Sequence, residues 1–201
     1  MGEASPKGAE ARIRSAWDSG NLAAATTEAL RLYGPEVLGF LVAVHREESA
    51  ADEAFSIFTE RLWRGIARFG WKSSVRTWLY ILARNASSDE LRAKARDRRR
   101  RASPEEAPIS QIAARVRTET LSILRTAKRN AISQLRDELP QEDRMLLVLR
   151  VDRDLAWIEI ARVFGAESDE DVTRESARLR KRFQLVKLRL HARARALHVT
   201  P

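Results

Sequence analysis

The spacing of apolar residues is the feature that most restricts how this chain can fold. From Leu22 to Leu190 they recur at intervals of three and four, which places them on one face of an α-helix. No segment shows the strict alternation of apolar and polar residues that is typical of a half-buried strand. The 201 residues include only 8 glycines and 6 prolines, so few positions interrupt a helix. The sequence therefore predicts an all-α fold.

The apolar stripes before residue 101 predict a first bundle of helices. A short helix ends near Asp18, and Gly34-Pro35 predicts a break between the two helices that follow. Further helices begin near Ser49 and Ser74. The predicted buried positions of this bundle are Leu22, Ala29, Leu30, Tyr33, Val37, Phe40, Leu41, Val44, Ala51, Phe55, Phe58, Leu62, Ile66, Val75, Trp78, Leu79, Leu82 and Ala86.

A segment without helical periodicity divides the chain. Ser103–Pro108 combines two prolines with acidic residues, which predicts an interdomain linker, and the apolar stripe resumes at Ile112. Near the C-terminus, a short helix at Trp157–Phe164, a turn at Gly165 and a longer helix capped by Ser168 predict a helix-turn-helix. The predicted organisation is an extension (1–21), a first domain (22–101), a linker (102–111), a second domain (112–195) and a tail (196–201).

The charge of the chain indicates a polyanionic partner. Lysine and arginine number 37 against 28 acidic residues, which gives a formal net charge of +9. Part of the excess is concentrated in Arg92–Arg101, a distribution typical of proteins that bind DNA or RNA. No apolar run has the length of a membrane span, and the N-terminus has no signal-peptide core. We therefore expect a cytoplasmic protein that does not insert into membranes.

Residue types that carry out catalysis are few or scattered. The chain has no cysteine, which excludes disulfides, thiolate chemistry and cysteine-based zinc sites. His45, His191 and His198 are too far apart in the sequence to indicate a metal site. No carboxylate accompanies a nucleophile in a recognisable pattern. We predict no catalytic residue, no metal, no cofactor and no enzymatic activity.

Two features of the first domain are candidates for contact with unpaired bases. Trp71 stands in a polar loop off the apolar stripe, where its ring either stacks on a base or packs against the domain. Asn85 and Asp89 share a helical stripe with later arginines. This stripe either contacts DNA or is a solvated face with an Asp89–Arg92 ion pair. The candidate residues for melted DNA are Trp71, Lys72, Ser74, Asn85, Asp89, Arg92 and Arg96.

The last long helix supplies a second set of candidates. Arg174, Arg178 and Lys181 lie opposite its apolar seam, and Arg182 lies at the flank of that seam. Early residues of a recognition helix reach base edges in the major groove, whereas later ones meet phosphate. The alternative is a solvated C-terminal helix, but the preceding short helix and glycine turn favour duplex DNA.

Motifs in both halves resemble the extracytoplasmic-function branch of the sigma-seventy family, bacterial initiation factors for RNA polymerase. The likeness to that family's second conserved region lies in Ala51–Phe55, Glu60–Trp63, Phe69, Trp78–Asn85, Asp89 and Arg92. The likeness to its fourth region lies in Leu135–Pro140, Arg144, Glu159–Ala161 and Gly165. The resemblance implies two small helical domains, a region 2-like bundle and a region 4-like helix-turn-helix, joined by a flexible linker.

The resemblance also implies partners and roles. The helix around Glu53, Arg61 and Trp63 would dock on core RNA polymerase. The Phe69–Ser74 loop and the helix after it would recognise the promoter's minus-ten element and hold it open, and the last helix would read the minus-thirty-five element. Promoter DNA would thus be bound both as duplex and melted, near the nucleoid. An anti-sigma factor is a further candidate partner.

The chain departs from the family pattern at three places, and these departures keep alternatives open. Ser56-Ile57 stands where the family usually has Gln-Glu, and Ala156 stands where the helix-turn-helix usually opens with a polar cap. Acidic residues in Glu167–Asp171 lengthen the turn and would repel phosphate. One alternative is a helix-turn-helix regulator that works without polymerase, and another is a sigma-like adaptor that cannot open promoters. A recombinase or nuclease is the third, although the residues for its chemistry are not recognisable.

Overall fold

The computed structural model describes residues 6–96, 109–126 and 135–196, and every regular element in these ranges is helical. The all-α prediction is confirmed. A 3₁₀ turn at Ile66–Arg68 follows the third helix, and a π-helical turn at Val148–Asp152 follows the sixth. The α-helices are α1 (Pro6–Asp18), α2 (Leu22–Val44), α3 (Glu48–Gly65), α4 (Val75–Arg96), α5 (Ser110–Thr126), α6 (Gln141–Leu147), α7 (Trp157–Val163) and α8 (Asp169–Ala196).

Helix α1 is part of the first bundle. Its Ile13 is buried in the core, at 1% exposure. The Trp17 indole N–H donates to the carbonyl of Ile66 at 2.8 Å, and the Tyr33 hydroxyl donates to Glu10 at 2.9 Å. Residues 6–18 of the predicted extension therefore pack as a structural element against α2 and the turn after α3.

Helix α2 runs without a break through Gly34 and Pro35, so the prediction of two helices there is wrong. Pro35 has no N–H to bond the carbonyl of Arg31, a loss that costs about 3 kcal/mol in a helix interior. Leu30 and Val37, on the two sides of the proline, are 0% and 1% exposed in the same core. Each such burial contributes roughly 1.5–3 kcal/mol, which offsets the cost of the proline.

The predicted helix-turn-helix is confirmed. Helix α7 ends before Gly165, which has a φ of +103°, a conformation that side chains with a Cβ rarely adopt. The Ser168 hydroxyl then caps α8 by accepting from the Asp171 N–H at 3.1 Å. The seam that α8 buries consists of Val172, Ser176, Leu179, Phe183 and Val186.

The two halves pack against each other around one continuous core. The Arg144 guanidinium donates to the carbonyl of Val44 at 2.6 Å, which joins α6 to the end of α2. The Thr77 hydroxyl donates to Glu159 at 3.0 Å, which joins α4 to α7. Helix α5, which begins at the last residues of the predicted linker, lies on α2 and α3. The acidic, proline-containing part of that linker lies outside the described residues.

Candidate nucleic-acid interface

The Trp71 loop, residues 69–74, connects the turn after α3 to helix α4. Phe69 is 5% exposed and anchors the loop in the core, where its ring stacks on Trp78 at 4.7 Å between centroids. Trp71 has a φ of +56°, in the left-handed region. That conformation costs a residue with a Cβ roughly 1–2 kcal/mol, and such residues concentrate at functional sites.

Three side chains hold the half-buried ring of Trp71. The centroid of the Phe69 ring lies 4.7 Å from that of Trp71, and the centroid of the Trp17 ring lies 5.8 Å from it. The Trp17 ring meets Trp71 edge-on. The Arg14 guanidinium lies over the Trp71 ring at 4.3 Å from its centroid. The indole nitrogen of Trp71 is buried and has no hydrogen-bond partner within the described residues. Trp71 therefore packs against the domain and is also partly exposed, and its stacking on a base stays a prediction.

Lys72 and Ser74 have different environments. The Lys72 side chain is exposed, while its carbonyl accepts from Arg162 of α7 at 2.7 Å. The Ser74 hydroxyl accepts from the Thr77 N–H at 3.1 Å and so caps α4. Lys72 is therefore available to a phosphate, whereas the Ser74 hydroxyl has a structural task in addition to its predicted contact with DNA.

The stripe on α4 reaches across to α3. Asn85 is exposed, and Asp89 forms an ion pair with Arg61, whose side chain is 34% exposed. This pair joins a predicted DNA contact to a predicted polymerase contact, which the sequence did not indicate. Arg92 and Arg96 are on the same helix, and their side chains lie outside the described residues.

The face of α3 carries the other predicted polymerase contacts. Glu53 is exposed and Trp63 is half-buried. A contact that sequence reasoning missed is made by Arg117 of α5, which donates to the Ser56 hydroxyl at 2.8 Å and pairs with Asp52. Helix α5 therefore lies on α3 at one of the positions where the chain departs from the family pattern.

The early arginines of α8 are exposed, and each is held by an acid of its own helix. Arg174 and Arg178 have side-chain exposures of 73% and 59%. Arg174 pairs with Asp171, and Arg178 donates to both oxygens of Glu175 at 2.7 and 2.6 Å. The hydrogen bond to Glu175 raises the pKa of Arg178. These two side chains and that of Lys181 are exposed to solvent. Arg174 already uses one Nη group on Asp171, and Arg178 already uses Nε and one Nη group on Glu175.

Arg182 differs from the arginines before it. Its side chain is only 27% exposed and donates to Asp143 at 2.6 Å and to Glu142 at 2.8 Å, both on α6. The hydrogen bond from Arg182 holds the pKa of Glu142 below its usual range. Asp143, with a side chain 5% exposed, also pairs with Arg189. Arg182 therefore joins α8 to α6, and its predicted contact with phosphate stays a prediction.

A polar junction between the halves was also missed by sequence reasoning. Arg76 pairs with Glu36 and donates to the carbonyl of Arg153 at 2.8 Å, while the Tyr80 hydroxyl donates to Glu36 at 2.9 Å. Burial is the largest single influence on Arg76 and lowers its pKa, but the hydrogen bond and charge of Glu36, together with Tyr80 and Glu159, raise the pKa overall. No local spacing links these residues, so a single sequence carries no signal for the junction.

Some kinds of site find no support in the described ranges. In residues 6–96, 109–126 and 135–196 no cluster of three or more metal-binding side chains occurs. None of the helices in the same ranges has the length and hydropathy needed to cross a bilayer.

Comparison with known proteins identifies the family. Residues 29–97, which include the Trp71 loop and α4, match the family described as Sigma-70 region 2. The chain is 30% identical over 161 residues to the RNA polymerase sigma factor YlaC of Bacillus subtilis (strain 168). That alignment covers 79% of this chain and 91% of the relative, so it extends well beyond the residues that match the family model. The chain belongs to the extracytoplasmic-function subfamily of the sigma-70 family of RNA polymerase sigma factors.

Proposed function

We propose that this chain binds core RNA polymerase and directs it to a restricted set of promoters, where it recognises and opens the DNA. The observation that carries the proposal is the presence of two unlike surfaces on one chain. The Trp71 loop offers an aromatic ring beside the exposed Lys72, which suits unpaired bases. The early turns of α8 offer exposed Arg174 and Arg178 in a helix-turn-helix, which suits the major groove.

The two surfaces lead us to assign a different binding role to each half of the chain. We assign residues 22–101 to polymerase binding and the minus-ten element, and residues 112–195 to the minus-thirty-five element. The minus-ten contacts are Trp71, Lys72, Ser74, Asn85, Asp89, Arg92 and Arg96; the minus-thirty-five contacts are Arg174, Arg178, Lys181 and Arg182; the polymerase contacts are Glu53, Arg61 and Trp63.

The two halves have to separate before both promoter elements can be bound. Elements named minus-ten and minus-thirty-five lie about 25 base pairs apart, or roughly 85 Å at about 3.4 Å per base pair. In the packed arrangement, Arg162 of the helix-turn-helix bonds the carbonyl of Lys72 at 2.7 Å. The arrangement with both halves in contact is therefore a closed form, and polymerase and promoter select an open one.

The remaining roles are those of an accessory factor. The catalyst is the partner polymerase, so the chain itself carries no catalytic residue and needs no cofactor. We place it in the cytoplasm, at the nucleoid, with an anti-sigma factor as a candidate inhibitor. A binder of that kind would act on the same polymerase-docking and DNA-binding surfaces.

A pull-down of core polymerase followed by run-off transcription tests the proposal. We expect co-elution with polymerase and transcripts from a restricted promoter set. Binding to duplex DNA without polymerase would indicate a helix-turn-helix regulator. Polymerase binding without transcripts would indicate an adaptor, and DNA cleavage would indicate a nuclease or recombinase.

A further inference from the structure

Helix α1 brings a cation, Arg14, to the Trp71 loop. The Arg14 guanidinium lies 4.3 Å from the centroid of the Trp71 ring and 5.8 Å from that of Trp17. Among the three side chains that touch the Trp71 ring, Phe69 is buried, Trp17 is half-buried and Arg14 is exposed. Arg14 is thus the outermost member of this group.

The donors of Arg14 are only partly used. Its Nε donates to both carboxylate oxygens of Asp18, each at 3.0 Å. Neither Nη group has a hydrogen-bond acceptor within the part of the chain that the structure describes, and half of the side chain, 49%, is exposed. Asp18 therefore orients the guanidinium plane while leaving donors that can bind an incoming group.

The position of Arg14 relative to the loop is fixed by buried contacts. Trp17, one turn further along α1, is bonded to the Ile66 carbonyl at 2.8 Å, and Ile13 is in the core. Helix α1 therefore cannot slide along the loop without losing these contacts. Rigid placement of this kind is what a stacking platform requires, because an ordered side chain loses little entropy when a base binds.

We propose that Arg14 is a nucleotide-contacting residue of the minus-ten site, which thereby extends onto α1. An unpaired base stacks on the guanidinium plane, which is backed by the Trp71 ring, and the free Nη groups bind the adjoining phosphate. Guanidinium planes and aromatic rings are the surfaces on which proteins stack unpaired bases. This inference rests on the proposed function, because it supplies a further contact for the same melted strand.

Three full-length variants, each assembled with core polymerase, test the inference. Arg14→Ala removes both plane and charge, and Arg14→Lys keeps the charge without the plane. Arg12→Ala is the matched control, because Arg12 is an equally exposed cation of α1 that pairs with Glu28. The probe is a fluorescent single strand spanning the minus-ten element of a promoter that the parent holoenzyme selects from a random library.

We expect Arg14→Ala and Arg14→Lys to bind the strand about 5- to 10-fold more weakly than the parent, within the range for loss of one stacked base. Arg12→Ala should remain within about twofold of the parent. A series of strands that each lack one base locates the contact. Removal of one particular base should weaken the parent but cause no further loss in Arg14→Ala.

The position dependence separates a lost contact from a folding defect, because a folding defect weakens binding to every strand alike. Equal sensitivity of parent and Arg14→Ala to every missing base would overturn the inference. Parent-like affinity of Arg14→Lys with weak binding by Arg14→Ala would reduce Arg14 to a charge contact and overturn the stacking. If the parent holoenzyme neither binds the strand nor initiates, the proposed function itself fails.

Discussion

The Trp71 loop and helix α8 are both candidate DNA-binding surfaces, but different interactions hold their side chains. The loop is held by aromatic rings, with Phe69 and Trp17 against Trp71. On α8, by contrast, Arg174 and Arg178 are held by carboxylates of their own helix. Stacking depends little on ionic strength, whereas ion pairs between exposed groups are screened by salt. The two candidate surfaces, for melted and for duplex DNA, are therefore held in place by different interactions.

If α8 binds DNA as proposed, its acids reduce what each arginine gains from phosphate or from a base. An arginine that leaves Glu175 or Asp171 exchanges one anionic partner for another, so its net gain from DNA is smaller than that of a free side chain. Surface ion pairs are worth little, about 0–1 kcal/mol, so the exchange remains feasible. A DNA sequence that offers these arginines no matching contact does not compensate for the lost ion pair. The acids would therefore favour selective binding over tight binding.

The largest effect is expected from locking the closed form. The chain has no cysteine, so the double variant Arg84→Cys, Glu142→Cys contains one pair of thiols. In the parent, a guanidinium nitrogen of Arg84 on α4 lies 3.7 Å from a carboxylate oxygen of Glu142 on α6. A short reducible thiol-specific linker between them should reduce run-off transcription to background. The linker holds the two halves together, and they then cannot reach both promoter elements at once. Reduction of the linker should restore transcription.

The controls for the locked form are the two single-cysteine variants treated with the same linker. Both should remain active. Full transcription from the linked double variant would show that the closed form itself initiates, and would remove the need for separation of the halves. Binding of the linked protein to minus-thirty-five duplex should persist, because Arg174 and Arg178 are exposed in the closed form.

The next largest effect is expected from removal of the Trp71 ring. Trp71→Gly removes the ring but suits the positive φ at that position, so the loop backbone is retained. Loss of one stacked base costs about 1–3 kcal/mol, and promoter opening should fall accordingly while polymerase binding is unchanged. Permanganate footprinting measures the opening. Undiminished footprints would return Trp71 to a purely packing role.

A smaller effect is expected for Arg182, and it should appear in stability. Among the described residues, Arg182→Ala leaves the buried carboxylate of Asp143 with the longer contact from Arg189 alone, at 3.4 Å. Hydrogen bonds to charged groups contribute roughly 1.5–3 kcal/mol, and partial exposure of Arg182 lowers the expected loss to about 2 kcal/mol. Urea unfolding measures this loss. An unchanged unfolding midpoint combined with a reduced salt dependence of DNA binding would instead support the phosphate contact.

Arg178→Ala should affect duplex recognition by about 1 kcal/mol, at the low end for a base contact, because Glu175 already occupies the guanidinium. The companion change Glu175→Gln frees Arg178 and should strengthen duplex binding while relaxing base preference. Binding of both variants to a promoter library at two salt concentrations measures the two effects. If neither variant alters affinity or preference, the exposed face of α8 is a solvated surface.

Much of the fold was predictable because the spacing of apolar residues is local information. The seam of α8 and the turn at Gly165 are examples, since each is determined by neighbours within a few positions. The break at Pro35 was predicted wrongly, because the core that keeps α2 continuous is built by other helices. The candidate surfaces were located in the sequence, but the side chains that hold them were not. Arg182 and its acids are 39 and 40 positions apart, and no sequence spacing records such a contact.

The smallest expected effect is a dependence of stability on pH at Glu142. The hydrogen bond from Arg182 lowers the pKa of Glu142 in the folded protein below its value in the unfolded chain. The resulting stabilisation is complete above the ordinary glutamate pKa of about 4.3 and is lost as the pH falls through the lowered folded value. Because Glu142 is 54% exposed, screening limits this contribution to roughly 0.5 kcal/mol. Glu142→Gln should therefore be slightly less stable than the parent near about pH 7, and the two proteins should converge in acid. Urea unfolding across that pH range measures the difference, and a gap that does not change with pH would show that Arg182 is held by Asp143 alone.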